Sequence, residues 1–158
     1  MLFRSNDYYP GINAFTLSAI LDHLAQRLGP SGDSEEDAYR QQLPSLRGAV
    51  QFCLSCKTKL DPKDFWAAVS LGDLAVVTAE DPRQVAIAYK KALTALWHNK
   101  FALESILGQL RIFASLDFRL DYVKTGIAVL EEELQRYESQ EIVTEDAAEA
   151  AQQPAKVF

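Results

Sequence analysis

Apolar residues recur three and four positions apart along almost the whole chain, which is the spacing of one face of an α-helix. No segment of useful length alternates apolar with polar residues, as a half-buried strand does. At 158 residues the chain is long enough to fold as one domain around one hydrophobic core, without disulfides or a metal. These features predict an all-α fold, an array of antiparallel helices joined by short turns.

The first half of the chain is predicted to hold two helices separated by an acidic loop. The first helix covers residues 12–28, ends at Gly29-Pro30, and buries a stripe made of Leu17, Ile20, Leu21, Leu24 and Leu28. A polar, acidic stretch at about 29–41 shows no periodicity and predicts a solvated loop. The second helix is expected to begin after Pro44 and Ser45, to end at Asp61-Pro62, and to bury Leu46, Val50, Cys53 and Leu60.

The second half is predicted to hold four more helices. A third covers residues 63–79, and Asp81 with Pro82 supplies the N-cap and the first residue of a fourth. The buried faces of the fifth and sixth are expected to comprise Leu103, Ile106, Leu107, Leu110 and Phe113, then Leu120, Val123, Ile127, Leu130, Leu134 and Tyr137. Beyond Glu138 the chain is rich in Ala, Glu and Gln, so a helical domain over 1–138 is predicted to end in a frayed helix and a mobile tail over 139–158.

Helices three and four carry the pattern of a tetratricopeptide unit, which repeats about every 34 residues. The positions that would bring the two antiparallel helices together are Val69, Gly72, Val76, Val85, Tyr89 and Ala92. Asp73 falls where such repeats favour a small residue. The pattern therefore predicts a degenerate, tetratricopeptide-like array of the α-solenoid kind.

Composition argues against several classes of partner and cofactor. A net charge of −6 without a concentrated basic face argues against nucleic-acid binding, and no apolar run reaches the about 18 residues needed to span a membrane. The chain does not open on a secretory signal pattern, so a cytoplasmic location is expected. Cys53 and Cys56 have no second pair of ligands at zinc spacing and are interpreted as small buried residues, so we expect no metal and no cofactor.

No catalytic motif is recognisable in the sequence. His23 and His98 have no serine or cysteine nucleophile at a motif spacing. The glycine-containing stretch 29–32 lacks the lysine and the context of a phosphate-binding loop. We therefore expect no enzymatic activity.

The segment Tyr8-Tyr9-Pro10-Gly11-Ile12-Asn13 is the most distinctive part of the chain. One interpretation is structural: Gly11 supplies a special backbone angle, Asn13 caps the first helix, and the tyrosines cover the end of the array. The functional interpretation is that a tyrosine ring and the Asn13 amide face a groove and hold a planar ligand. Tyr8 and Tyr9 are expected to point to different sides, so at most one of them would serve both purposes.

Three further residues are candidates for binding a ligand or partner. Trp66 and Trp97 lie near apolar stripes and are interpreted first as packing residues, with a ligand platform as the alternative. Asp64, beside Trp66, is interpreted as a helix-start acid. Arg111 is the basic residue that would meet an anionic ligand, and a surface ion pair is the alternative for it.

Several of these segments together resemble one family, the helical TRAF-binding region of the apoptosis-signal-regulating kinases and its bacterial relatives. The similarity covers roughly residues 8–116 and rests on the entry at 9–13, the Phe65-Trp66 pair, the degenerate repeat up to Trp97, and Ser105 with Gln109-Leu110. The resemblance implies a tetratricopeptide-like regulatory domain that acts by binding, in signalling kinases or beside bacterial effector domains. It implies no kinase activity.

Two hypotheses of function follow. In the first, the chain is a non-enzymatic helical-repeat module that binds a protein partner or a second copy of itself. In the second, it senses or processes a small nucleotide-derived ligand through the opening aromatic segment and Arg111. The narrow apolar seam of the sixth helix is compatible with packing inside the domain or against another chain.

Overall fold

The computed structural model describes the backbone of residues 8–29, 34–94 and 100–152, and the side chains within 8–27, 40–94 and 100–140. In this part of the chain all regular structure is helical and no strand is present, which confirms the all-α prediction. The helices are α1 (Tyr8–Leu28), α2 (Ser34–Leu60), α3 (Phe65–Thr78), α4 (Pro82–Thr94), α5 (Lys100–Ser115) and α6 (Leu120–Gln152).

The helix α1 begins earlier than its sequence predicts. Tyr8 is its first residue, so the aromatic segment is the first helical turn and not a turn that precedes the helix. Pro10 is tolerated there because the N–H groups of a first turn have no partner within the helix in any case. Helical geometry also leaves Gly11 without a positive φ, and in the described residues only Gly29, at +93°, is a glycine that has one.

The buried face of α1 also differs from the predicted stripe. Of the predicted stripe, Ile20 is buried and Leu24 packs against the core, but Leu17 and Leu21 are 60% and 66% exposed, and Ile12 and Phe15 are buried instead. The reason is that apolar residues occupy more than one side of this helix, so spacing alone permits two faces. Packing against α2 and α3 selects the face that carries Ile12, Phe15 and Ile20. The side chain of Leu28 lies outside the described part.

The helix α2 contradicts most of the predicted acidic loop. It begins at Ser34 and continues through Pro44 to Leu60, so residues 34–41 of that loop are helical and a start after Pro44-Ser45 is wrong. Residues 30–33 of the predicted loop lie outside the described part. Acidic residues directly after Ser34 suit a helix N-terminus, because they oppose its positive partial charge. Leu60, predicted to be buried, is 84% exposed, and Leu54 is fully buried in its place.

The α3–α4 hairpin matches its prediction closely. Asp81 precedes α4, its Oδ1 accepts a hydrogen bond of 2.8 Å from the Arg83 N–H, and Pro82 is the first helical residue. The six positions predicted to join these helices are all buried: Val69, Gly72, Val76, Val85, Tyr89 and Ala92. Local capping and a regular apolar spacing are sufficient to define this unit.

Tyr89 is the central packing residue of the fold. It is fully buried, and its ring lies against two glycines, Gly72 of α3 and Gly126 of α6. An added Cβ would come within 2.5 Å of the Tyr89 ring at Gly72 and 2.9 Å at Gly126, so both positions require glycine for this approach. The Tyr89 hydroxyl donates a 2.7 Å hydrogen bond to Asp73 Oδ1, which explains an acid where a repeat favours a small residue.

The helices alternate in direction, as contacts at one end of the array show. His23, near the end of α1, donates to the Leu116 carbonyl at 3.3 Å, and Arg119, just before α6, donates to the Val77 carbonyl of α3 at 2.7 Å. The Tyr122 hydroxyl of α6 donates to the Glu80 carbonyl ahead of α4 at 2.9 Å. The C-terminal ends of α1, α3 and α5 therefore meet the N-terminal ends of α4 and α6.

The core follows from the order in which the helices pack. α1 packs on α2 and α3, α4 lies between α3 and α6, and α5 packs on α6. The predicted faces of α5 and of the first part of α6 line this core, and α6 continues in helical form to Gln152. Residues 153–158 of the predicted tail lie outside the described part.

Among the described helices none is both long enough and apolar enough to cross a membrane.

Candidate functional site

An open groove lies at the end of the array where the first turns of α1 and α3 meet. Its lining residues are Tyr8, Tyr9, Pro10, Asp64 and Trp66, and its volume is about 590 Å³. We refer to it as the aromatic groove. It forms because α1 and α3 both start at this end and pack against each other, which brings residues 8–10 close to residues 64–66.

Tyr8 and Asp64 form the polar part of the groove. Tyr8 is 8% exposed, and burial, the charge of the Asp64 carboxylate and a hydrogen bond to it raise the pKa of Tyr8 from 10.0 to about 12. The hydroxyl of Tyr8 therefore stays protonated at physiological pH and acts as a donor towards Asp64.

Asp64 is already engaged by its own surroundings. It is the N-cap of α3, where its Oδ1 accepts a 2.9 Å hydrogen bond from the Ala67 N–H, which confirms the helix-start interpretation. Its Oδ2 lies 3.2 Å from Lys57 Nζ, and both of these side chains are only 18% exposed. The carboxylate is thus positioned by three protein groups and has little capacity left for a ligand.

The walls of the groove are two aromatic rings that remain accessible. Tyr9 is 56% exposed and Trp66 is 45% exposed. Phe65 packs beside Trp66 with a ring-centroid distance of 5.2 Å, which limits the freedom of the indole. In the described part of the chain neither the Tyr9 hydroxyl nor the Trp66 indole N–H has a hydrogen-bond partner. The groove therefore offers flat apolar surfaces and two free donors.

The structure brings together only part of the predicted site. Tyr8, Tyr9 and Trp66 line the groove, with Tyr8 buried and Tyr9 exposed as expected from their different directions. Asn13 is exposed within α1 and does not cap it, because the helix begins five residues earlier. Gly11 does not line the groove, and it permits close packing of α2, since an added Cβ would lie 3.1 Å from Val50 Cγ2.

The remaining predicted residues lie elsewhere. Arg111 is on α5, near the end of the array opposite the groove, and donates a 3.0 Å hydrogen bond to Glu131 Oε1 in a surface ion pair. Trp97 and His98 fall outside the described residues. Pro10, part of the distinctive opening segment, also lines the groove. The link from Tyr8 through Asp64 to Lys57 was missed by sequence reasoning, because no local pattern connects Tyr8 with residues about fifty positions away.

The described residues offer no obvious centre for metal or acid–base chemistry. They contain no group of three or more His, Cys, Asp or Glu side chains able to hold a metal. Cys53 and Cys56 are unpaired and half-buried, less buried than predicted. His23 donates a hydrogen bond to the Leu116 carbonyl, and its ring packs edge-on against Phe118 with a ring-centroid distance of 5.5 Å.

A second, more polar cavity of about 320 Å³ lies between α4 and α6. Its most prominent charge, Arg136, already pairs with both Glu132 and Glu133 on its own helix. No aromatic side chain is among the described lining residues, so the cavity lacks the accessible aromatic surface of the aromatic groove.

Comparison with known proteins adds no further constraint. A scan against protein families finds no matching family, and searches of curated proteins and of solved structures find no match either.

Proposed function

We propose that this chain is a non-enzymatic, helical interaction module, and that the aromatic groove is the surface on which it binds a protein partner. The observation that carries this proposal is the pair of accessible rings, Tyr9 and Trp66. They lie beside Asp64, whose carboxylate is already paired with Lys57. Accessible aromatic side chains in a concave surface are typical of binding hot spots, where a few residues provide most of the affinity.

The arrangement of the helices supports a regulatory role of the kind that the family resemblance implies. The α3–α4 hairpin and its packing against α1 and α6 are compatible with a degenerate tetratricopeptide-like unit. Modules of this type act by binding, and we place the chain in a cytoplasmic signalling or bacterial conflict-type protein on the strength of that resemblance. A partner could also be a second copy of the same chain.

A nucleotide-derived ligand has weaker support. The described lining of the aromatic groove contains no basic side chain that could meet a phosphate. Arg111, the predicted anion-binding residue, is paired with Glu131 and lies away from the groove. The aromatic rings alone would stack on a base but would leave its phosphates without a partner.

The experiment that tests the proposal compares immobilised wild-type chain with Trp66→Ala and with a control, Ile112→Ala, in partner capture from a lysate of the source cells. Ile112 is 61% exposed on α5 and is a surface apolar residue outside the groove. Removal of an interface tryptophan typically costs at least about 2 kcal/mol, or roughly thirtyfold in affinity. We expect capture to be lost in Trp66→Ala and retained in Ile112→Ala.

The same samples are measured by light scattering and by circular dichroism. The first measurement reports whether the captured partner is a second copy, and the second checks that both variants keep their helical content. Equal capture by wild type and Trp66→Ala, or equal loss in both variants, would contradict the assignment of the groove as the binding surface.

A further inference from the structure

We propose that the part of the partner that binds in the aromatic groove is an extended, proline-rich segment. This inference rests on the proposed function and specifies its partner. It follows from the hydrogen-bonding inventory of the groove, from the exposure of its rings, and from the charge of the chain.

The groove has more capacity to donate hydrogen bonds than to accept them. Among the described residues, the Trp66 indole N–H is a donor without a protein partner, and the Tyr9 hydroxyl, also without one, can donate or accept. The strongest acceptor of the groove, Asp64, is engaged by the Ala67 N–H, by Lys57 and by Tyr8. A bound segment should therefore present carbonyl oxygens and few N–H groups, because a buried N–H without an acceptor costs about 1–3 kcal/mol.

Proline satisfies this requirement better than any other residue. It has a carbonyl oxygen and no backbone N–H, and its ring provides a flat apolar face that packs on tyrosine and tryptophan. Runs of proline adopt the extended polyproline II conformation before binding, so little conformational entropy is lost on docking. Aromatic-lined grooves are a recurring way of recognising such segments.

Other ligand classes match the groove less well. A phosphate-bearing ligand meets no basic side chain among the described lining residues. An amine or guanidinium ligand would have to compete with Lys57, whose ammonium is 3.2 Å from the Asp64 carboxylate. The net charge of −6 favours encounter with a positively charged partner, so we expect basic residues to flank the proline-rich segment and to stay outside the groove.

The test uses the full chain labelled with ¹⁵N and a synthetic peptide of about ten prolines flanked by arginines. A control peptide keeps the arginines and replaces the prolines by glycine and serine. The readout is the indole N–H resonance of Trp66, which is identified by its absence from the Trp66→Phe variant. We expect a saturable shift of this resonance with the proline peptide and none with the control peptide.

Two conservative variants test the donors without removing the rings. Tyr9→Phe deletes the hydroxyl and Trp66→Phe deletes the indole N–H, and loss of one hydrogen bond should weaken peptide affinity by about fivefold. For Trp66→Phe the affinity is read from the peptide side, by a fluorophore attached to the peptide. Ile112→Ala should leave the affinity unchanged.

The outcomes separate this inference from the proposed function. In one outcome the partner is captured in a Trp66-dependent manner, but the proline peptide shifts the Trp66 resonance no more than the control peptide does. The inference of a proline-rich segment is then wrong, and the aromatic groove remains the proposed binding surface. If Trp66-dependent capture is also absent, both fail. A saturable shift of the Trp66 resonance by ATP or AMP, without a shift by the proline peptide, would overturn both in favour of a nucleotide ligand.

Discussion

Replacing Asp73 by asparagine is expected to remove a loss of stability that the protein undergoes as the pH rises from about 4 to about 7. Asp73 lies half-buried between α3 and α4 and accepts a hydrogen bond from Tyr89. Burial raises the pKa of the Asp73 carboxyl from 3.8 to about 6, and the hydrogen bond from Tyr89 opposes part of that rise.

The direction in which stability changes with pH follows from the direction of this pKa shift. Between the two pKa values the folded chain binds a proton at Asp73 that the unfolded chain has released, so folding is favoured at low pH. The advantage is complete below about 3.8 and disappears as the pH passes about 6. A rise of this size corresponds to about 3 kcal/mol, which is an upper limit because the carboxyl keeps partial contact with solvent.

The assay is urea unfolding followed by circular dichroism at several pH values between about 4 and 7.5. The quantity of interest is the free energy of unfolding of wild type minus that of Asp73→Asn, because other carboxyls contribute equally to both and cancel. This difference should fall by up to about 3 kcal/mol as the pH rises, leaving Asp73→Asn the more stable form at neutral pH. Asp121→Asn, at an exposed position of α6, controls for the loss of one negative charge.

A difference that stays constant from about pH 4 to 7.5 would refute the assignment of a raised pKa to Asp73. A second variant tests the cause of the shift. In Tyr89→Phe the stabilising hydrogen bond to the carboxylate is absent, so the pH window in which stability is lost should move to higher pH. An unchanged window would mean that the hydroxyl does not contact the carboxylate in solution.

Two further perturbations probe the packing and capping of the array. Gly72→Ala should destabilise the fold by about 1–3 kcal/mol because its Cβ would meet the Tyr89 ring, whereas Gly108→Ala, which meets no neighbouring atom, should be neutral or slightly stabilising in thermal unfolding. Arg119→Ala should cost about 2–3 kcal/mol in urea unfolding because it leaves carbonyls at the end of α3 without their charged donor, while loss of the exposed Arg111 ion pair should cost about 0–1 kcal/mol. Equal effects within either pair would contradict the packing or the capping argument.

The helical class and the α3–α4 hairpin were predictable because their determinants are local. Apolar spacing of three and four residues is a property of consecutive sequence, and Asp81 with Pro82 marks the start of α4 within two positions. The same holds for Asp64 at the start of α3. Such signals do not depend on what the helix later packs against.

The errors arose where a local signal had two valid interpretations. Pro44 suggested that a helix begins after it, yet it lies inside a long helix, and Pro10 precedes the predicted start of the first helix but sits in its first turn. Leu17 and Leu21 fit the helical period as well as the residues that are buried, and they face solvent because α2 and α3 cover another side of α1.

The sequence by itself determined that the chain is helical, where α1, α2 and α3 end, and that the pairs Tyr8-Tyr9 and Phe65-Trp66 lie near two helix starts, since each of these depends on neighbouring residues. Only the tertiary structure decided which apolar face is buried, that Tyr89 lies between two glycines of different helices, and that Tyr9 and Trp66 share a groove that excludes Arg111. The physical reason is that burial and proximity are set by contacts between distant segments, and no local pattern encodes which of several compatible faces will meet.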